Sequence, residues 1–540
     1  MKKIIENILM FFAIIILTMA CANDEVGKNK ENKTENKEHA GIVFQSGEAT
    51  RTLMDHEING PGKFFWEVGD NIWVNNGGSY IPSSSSDITE KTAFAKFYFS
   101  SGALTATEYP ITYTGKGSSK GNEVTIKNVQ TQSQPGNFNH LGTSGDCGTA
   151  TAKKIGNIYH FSLQHQAAYL CFQPRSSNAY VQHSKLIKIE VISDKDIAGT
   201  YTLSNTGLST APTSGASKTI TLNTNEFNLD NSTADLSKNG SYMVIAPGNH
   251  KLTIKYWLRN TVDPSYIYTK NGTITQDLTI NVEAGKIYDI TADLKIPEFG
   301  NDFYMWDARY EYWADLTPVG GTNYKQYQPK VEGVYIQQHP KVPSDLRWYS
   351  GAAFPTYASR TCKDCPNVNE LRWYVEKGDP HGDQTTMWLM DGRLYAGGMW
   401  FKKQSVIAAE NPGRNLKTSA PNGINYTVTG INGMIDNFLQ VDCKRPTAAT
   451  IKNYFFLPVT GNFYLGGWDR STSLGVYWSS TPYPNFSGSE ASPPNTSAYY
   501  LDFYIIPLGG YGDYAAVRVM SNARYQGFRR FLSEDDYRPY

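Results

Sequence analysis

Apolar and polar positions alternate along most of the chain from Gly41 to Ile296. In FSLQHQAAYLCF, residues Phe161, Leu163, Ala167, Tyr169 and Cys171 share one parity, so they face one side of a sheet. His165 falls on that same apolar face with no ligand partner at neighbouring positions, which reads as a buried, hydrogen-bonded core histidine and not as a metal ligand. LIKIEVIS, YTLS, KTITLN, YMVIAP, HKLTIKYWL and GTITQDLTINV continue the alternation, separated at short intervals by Gly, Asn, Pro and Ser clusters. This pattern predicts a mainly β architecture of antiparallel sandwiches.

After Pro297 the pattern changes. Trp306, Trp313, Trp348, Trp373, Trp388, Trp400, Trp468 and Trp478 are interleaved with Gly and Tyr, which predicts a separate domain over 298–540 held together by aromatic packing. One helix is predicted at NVNELRWYVEKG: Asn367 caps it, Leu371 and Tyr374 share a face, and Gly378 ends it. In SAYYLDF, Tyr499, Leu501 and Phe503 point one way while Tyr500 and Asp502 point the other. The aromatics around Trp478 are therefore expected to build the fold. The insert PYPNFSGSEASPPNTS between them is the better place to seek a partner.

The N-terminus adds a destination. Lys2 and Lys3 precede an apolar run from Ile8 to Ala20 that is shorter than the roughly 20 residues of a membrane-spanning helix, so 1–20 reads as a signal peptide. Cys21 directly behind it resembles the lipid-accepting cysteine of a bacterial lipobox, although Thr18 stands where Leu is commonest; ordinary secretion is the alternative. The tract 21–39 is almost free of apolar residues and reads as a flexible linker. Asn23-Asp24-Glu25 resembles the export signal of Bacteroidetes lipoproteins bound for the outer face of the outer membrane. Lys plus Arg and Asp plus Glu each number 50, a net charge of +0 that offers no global attraction to nucleic acid. Cys147, Cys171, Cys362, Cys365 and Cys443 are an odd set for an exported chain; the Cys362–Cys365 spacing suits redox or zinc chemistry but lacks a second close pair, so a structural or unpaired role is expected.

Several phrases taken in order carry a family resemblance: IVFQSGEATRT, FFWEVGDNIWVNN, FSLQHQAAYLCFQ, LIKIEVISDKDIAGTYTL, SYMVIAPGNHKLTIKYWL and AGKIYDITADLKI. Behind a lipobox, they resemble the fimbrillin family of Bacteroidetes pilus subunits. The resemblance implies two transthyretin-like β-sandwich domains, at 40–158 and 159–297, with a boundary near 150–165. It also implies export as a lipoprotein, cleavage after Arg51 by a trypsin-like protease, and loss of a first strand containing Ile42, Val43 and Phe44. A strand donated by another pilin subunit then fills the groove.

FFLPVTG, GVYWSST, SAYYLDF and RYQGFRRF resemble the C-terminal half of bacterial C-type-lectin-like domains, which are α+β. The phrases through which such lectins bind sugar and calcium, Glu-Pro-Asn or Gln-Pro-Asp with Trp-Asn-Asp, are absent. Asp379, His381 and Asp383 are the candidate ligands for a cation such as calcium; a solvated turn is the alternative that Gly and Pro there favour. Gly117-Ser118-Ser119-Lys120-Gly121 matches the G-x-S-x-G motif, but it sits between two strand-like runs and reads as a hairpin turn. No catalytic residue is assigned and no enzyme is expected. The sequence reading is a tip or minor adhesive pilin; the alternative is a non-polymerising surface lipoprotein that binds glycan or host protein.

Overall fold

The computed structural model describes residues 41–47, 53–60, 62–100, 104–261, 271–300, 302–314, 339–390, 392–431, 438–469, 473–484, 495–507, 513–531 and 534. The expected signal peptide and linker, with Cys21, and also Arg51 and residues 485–494 of the insert, lie outside the described residues.

The described chain is mainly β. Its first core is enclosed by a nine-stranded sheet in the order Ser79–Pro82, Trp73–Asn76, Glu108–Tyr113, Gly148–Ile155, Ile158–Phe161, Ile42–Ser46, Lys96–Phe99, Ser85–Ser86, with Gln164–His165 added beside Gly148–Ile155. The two end strands are nearly consecutive in the chain. Between them Ser83 N–H donates to Ile72 O (2.9 Å) and Ser84 N–H to Tyr98 O (2.8 Å), so the sheet curls until its edges meet. Phe44, Trp66, Val74, Phe97, Ile111, Tyr159 and Phe161 fill the inside.

The second core lies under a sheet of eight strands, in the order Val129–Gln132, Thr219–Asn228, Lys185–Ser193, Gly248–Arg259, Asn271–Val282, His381–Met390, Arg393–Lys402, Tyr454–Pro458. A three-stranded sheet, Ser241–Ile245, Ala168–Arg175, Ile287–Asp293, contributes to the same core, with Phe172 edge-on to Tyr256 at 6.3 Å.

Two features differ from the expected segmentation. The strand Ile158–Phe161 belongs to the first sheet, whereas the earlier Glu123–Ile126 and Val129–Gln132 pair with Ala198–Ser204 and Thr219–Asn228 and bury Val124 and Ile126 in the second core. The chain thus crosses between the two cores more than once, and a line between 158 and 159 cuts a strand. The expectation of antiparallel sandwiches is also corrected, because the sheets are mixed. Ile42–Ser46 runs parallel to Ile158–Phe161, Val129–Gln132 to Thr219–Asn228, and Ala168–Arg175 to Ile287–Asp293. Each parallel partner comes from a distant segment, which long crossovers permit and hairpins do not.

The region after Pro297 is joined to the second core and does not stand apart. Asn271–Val282 runs parallel to His381–Met390 through the pair Thr273 and Thr386, and Thr273 Oγ1 bonds Thr385 Oγ1 at 3.0 Å. Leu389 N–H donates to Pro297 O at 2.8 Å, and Met387, Leu389 and Leu394 are buried in the second core. Beyond this hairpin, a six-stranded sheet runs Phe303–Tyr304, Phe528–Arg530, Leu474–Pro482, Ser497–Pro507, Asp513–Ala523, Leu439–Val441. The segments that come first and last along the chain, Phe303–Tyr304 and Phe528–Arg530, pair directly, Phe303 with Arg529 and Tyr304 with Phe528. The helix Val368–Lys377 forms as its caps dictate: Asn367 accepts from Asn369 N–H and Glu370 N–H, Glu370 reaches back to Asn367 N–H, and Gly378 follows the last turn.

The strand Ser497–Pro507 is buried on both faces from Ala498 to Phe503. Tyr477, Tyr499, Leu501 and Phe503 enter one core, while Val476, Trp478, Ala498 and Tyr500 enter another with Trp306 and Phe528. Trp478 is fully buried, and its Nε1–H donates to Tyr304 O at 2.8 Å, so this aromatic cluster is interior. No helix among the described residues is long and apolar enough to cross a membrane.

Candidate strand-exchange groove and C-terminal groove

The first described strand, Ile42–Ser46, is interior to its sheet. Val43, Phe44 and Gln45 are paired on one side with Ile158, Tyr159 and His160 and on the other with Tyr98, Phe97 and Lys96. Its inward side chains do most of the packing. Phe44 is fully buried, stacked on Tyr159 at 4.5 Å and 8°, and edge-on to Phe99 at 4.8 Å. Ile42 packs against the same core and Val43 is half-buried. Ser46 closes the strand: its Oγ accepts from Trp66 Nε1–H (3.0 Å) and Ala95 N–H (2.9 Å), and its own N–H donates to Ala95 O. Taking this strand out would leave two facing rows of backbone donors and acceptors above an aromatic-lined trough, the arrangement into which an added strand fits.

The three candidate cation ligands are only partly brought together. Asp379 accepts from Tyr454 OH at 2.6 Å and faces His381 Nε2 at 3.6 Å. Asp383 turns inward and is already satisfied, accepting from Thr385 N–H and Oγ1–H, Thr386 N–H and Oγ1–H, and Trp400 Nε1–H. Burial works against its charge, but the bonds from Thr386, Trp400 and Thr385 outweigh it and hold the carboxyl below its ordinary value. Its oxygens are committed to the turn, and the three residues form no group of converging ligand atoms.

Cys147, Cys171, Cys362 and Cys365 are free thiols and all four are buried, whereas Cys443 is half-buried. Cys362 and Cys365 follow each other in a turn, with Cys365 N–H donating to Cys362 O, and burial pushes the Cys362 thiol well up. That is the setting of inert core thiols. Residues Gly117–Gly121 lie in the turn between Glu108–Tyr113 and Glu123–Ile126. His165 is buried, its Nδ1 is 2.8 Å from Asp146 Oδ1, and Phe64 stacks on its ring at 3.9 Å.

One feature was missed in the sequence. A groove of about 470 Å³ opens beside the strands Leu474–Pro482 and Ser497–Pro507, lined by Tyr464, Trp468, Tyr504, Asp502, Asn522 and Gln526. Asp502 lies under it, almost fully buried. Arg518 Nε–H donates to its Oδ2 at 2.8 Å, and its Oδ1 has no hydrogen-bond partner. Burial lifts its carboxyl to about 6, against the pull of Arg518. Its only signal in the sequence was a carboxylate among apolar positions of a strand buried on both faces.

No protein-family model matches the chain, and no curated protein matches it. Among solved structures it is similar to the "putative cell adhesion protein" of Bacteroides ovatus, at 14% identity and a TM-score of 0.29, covering 47% of this chain and 92% of that one. It is similar to another protein so described from Bacteroides uniformis, at 15% identity and a TM-score of 0.27, over 47% of this chain and 94% of that one. A fimbrial protein of Bacteroides ovatus is similar at 12% identity and a TM-score of 0.24, over 49% of this chain and 52% of that one.

Proposed function

We propose that this chain is a surface adhesive subunit of a fimbria, of the fimbrillin type, exported as a lipoprotein through Cys21 and anchored to the outer membrane until processed. Cleavage after Arg51 releases the first strand, and a strand from another pilin subunit takes its place beside Lys96–Phe99 and Ile158–Phe161. The observation that carries this reading is the position of Ile42–Ser46: it is bounded by partners on both sides and reaches the core mainly through Phe44. The region after Pro297, read as a lectin-like α+β module, ends by pairing Phe528–Arg530 with its own start. We read the chain as a tip or minor pilin that accepts a strand. The chain acts by binding, not by catalysis.

A second reading keeps the same module on a lipoprotein that does not polymerise. The groove over Asp502 supports glycan contact in either case, because half-buried aromatics beside carboxylate and amide groups match the apolar faces and hydroxyls of a sugar.

Mass spectrometry of the full chain recovered from surface filaments tests the choice. The fimbrial reading expects a new N-terminus at Thr52, and an Arg51→Ala chain that stays unprocessed and absent from filaments. An intact, lipidated Cys21–Tyr540 chain in the filament-free membrane fraction alone would overturn it in favour of the second reading.

A further inference from the structure

The three-stranded sheet places Tyr242, Cys171 and Asp289 in one row. Cys171 on the central strand is the register partner of Tyr242 on one side and of Asp289 on the other. Partners in such a row project to the same face at neighbouring positions. His56, from the turn after Leu53–Asp55, is buried against this row with its ring edge-on to Tyr242. Among the described residues, one ligand atom each from His56, Cys171 and Asp289 lie within 4.8 Å of one another.

The arrangement of the imidazole is specific. The Tyr242 hydroxyl meets Nδ1 at 3.4 Å, which leaves Nε2 to face Asp289 Oδ2, also at 3.4 Å. Nε2 makes no hydrogen bond, although His56 is more than nine-tenths buried. Ligand atoms about 2.0–2.3 Å from a tetrahedral zinc ion stand roughly 3.3–3.8 Å apart. The imidazole and the carboxylate already stand at that spacing. Gln173 donates to Asp289 Oδ1 and to Cys171 Sγ, and Asn59 N–H donates to Asp289 Oδ2 at 2.7 Å, so thiol and carboxylate are held in place. A ligand nitrogen whose other ring nitrogen is fixed by an outer partner is a recurrent arrangement around metal ions.

We propose that His56 Nε2, Cys171 Sγ and Asp289 form a zinc site, with a water in the fourth position. A thiolate beside imidazole and carboxylate selects zinc over calcium or magnesium, which take oxygen ligands. Binding displaces the thiol proton to solvent, so the ion meets one thiolate, one neutral imidazole and one carboxylate. The ion ties the turn carrying His56 to the strands Ala168–Arg175 and Ile287–Asp293 of the second core. The proposal stands whether or not the chain assembles into fimbriae.

The test uses the full chain, freed of metal by chelator dialysis and then given zinc or cobalt chloride alone. One zinc per chain is expected by elemental analysis, and cobalt(II) is expected to give a thiolate charge-transfer absorption. Cys171→Ser and His56→Ala should each weaken zinc binding by roughly 100-fold or more, and Tyr242→Phe by about 10-fold, as loss of an outer partner does. The cobalt spectrum of the unaltered chain needs no variant to fold. Absence of the charge-transfer band, or its persistence in Cys171→Ser, would overturn the site.

Discussion

At the scale of single residues, Phe44 fixes how firmly the first strand is held. Phe44→Ala removes a fully buried ring that stacks on Tyr159, and it is expected to cost about 3–5 kcal/mol in urea unfolding monitored by tryptophan fluorescence. Asp502 makes a prediction of the opposite kind. Its folded carboxyl sits at about 6 against an ordinary 3.8, so the folded chain holds this proton more tightly than the unfolded one. The stability it gives is full below its ordinary value and is lost as pH rises through about 6. Relative to Asp502→Asn, the unaltered chain should lose roughly 2 kcal/mol between pH 4 and 6, read from paired urea titrations. A pH-independent difference would discard that assignment. Neither residue was equally legible in the sequence. Phe44 stands in a strand-like phrase, whereas the groove over Asp502 requires Tyr464 and Asn522 to arrive from other strands. The row of Tyr242, Cys171 and Asp289 likewise depends on registers between segments far apart in the chain; alternation alone put Cys171 in a core and gave no neighbours to it.

At the scale of elements, the helix Val368–Lys377 was legible because its signals are local. Asn367 and Glu370 satisfy each other's backbone donors within one turn, and Gly378 ends the run. Asn367 Nδ2–H also donates to Lys417 O at 3.0 Å, so the cap anchors a loop as well as the helix. Asn367→Ala is therefore expected to cost about 1–2 kcal/mol, measured by thermal unfolding, with Asn367→Asp recovering the cap but not the contact to Lys417. The strands themselves were legible for the same reason, since alternation is local. Their partners were not. Antiparallel pairing was the natural inference from closely spaced turn residues, but Ile42–Ser46, Val129–Gln132 and Ala168–Arg175 each take a parallel partner that no nearby turn announces.

At the scale of the whole molecule, the joint between Asn271–Val282 and His381–Met390 is the feature that the change of composition after Pro297 concealed. Trp and Gly become common there, yet Met387, Leu389 and Leu394 are spent on the second core. Gly272 marks how close the two strands run: a Cβ there would stand 2.3 Å from Met387 Cγ and 3.1 Å from Thr385 O. Gly272→Val is expected to loosen the joint, splitting one calorimetric transition into two while the far strands of each sheet stay protected in hydrogen exchange. A single transition merely shifted in temperature would show that the joint is not where cooperativity is carried.

The place of Ile42–Ser46 also sets the order in which the molecule is built. This strand leaves the ribosome before either neighbour, yet Lys96–Phe99 must follow before it has one edge to lie on, and Ile158–Phe161 before it has the second. Until then Ile42, Val43 and Phe44 are an apolar segment with nothing to pair with. Delay in closing the first sheet is built into the topology, because contacts between distant segments form slowly. The strand made earliest is among the last to be seated, and during that interval its place stands open to any other strand of suitable pattern.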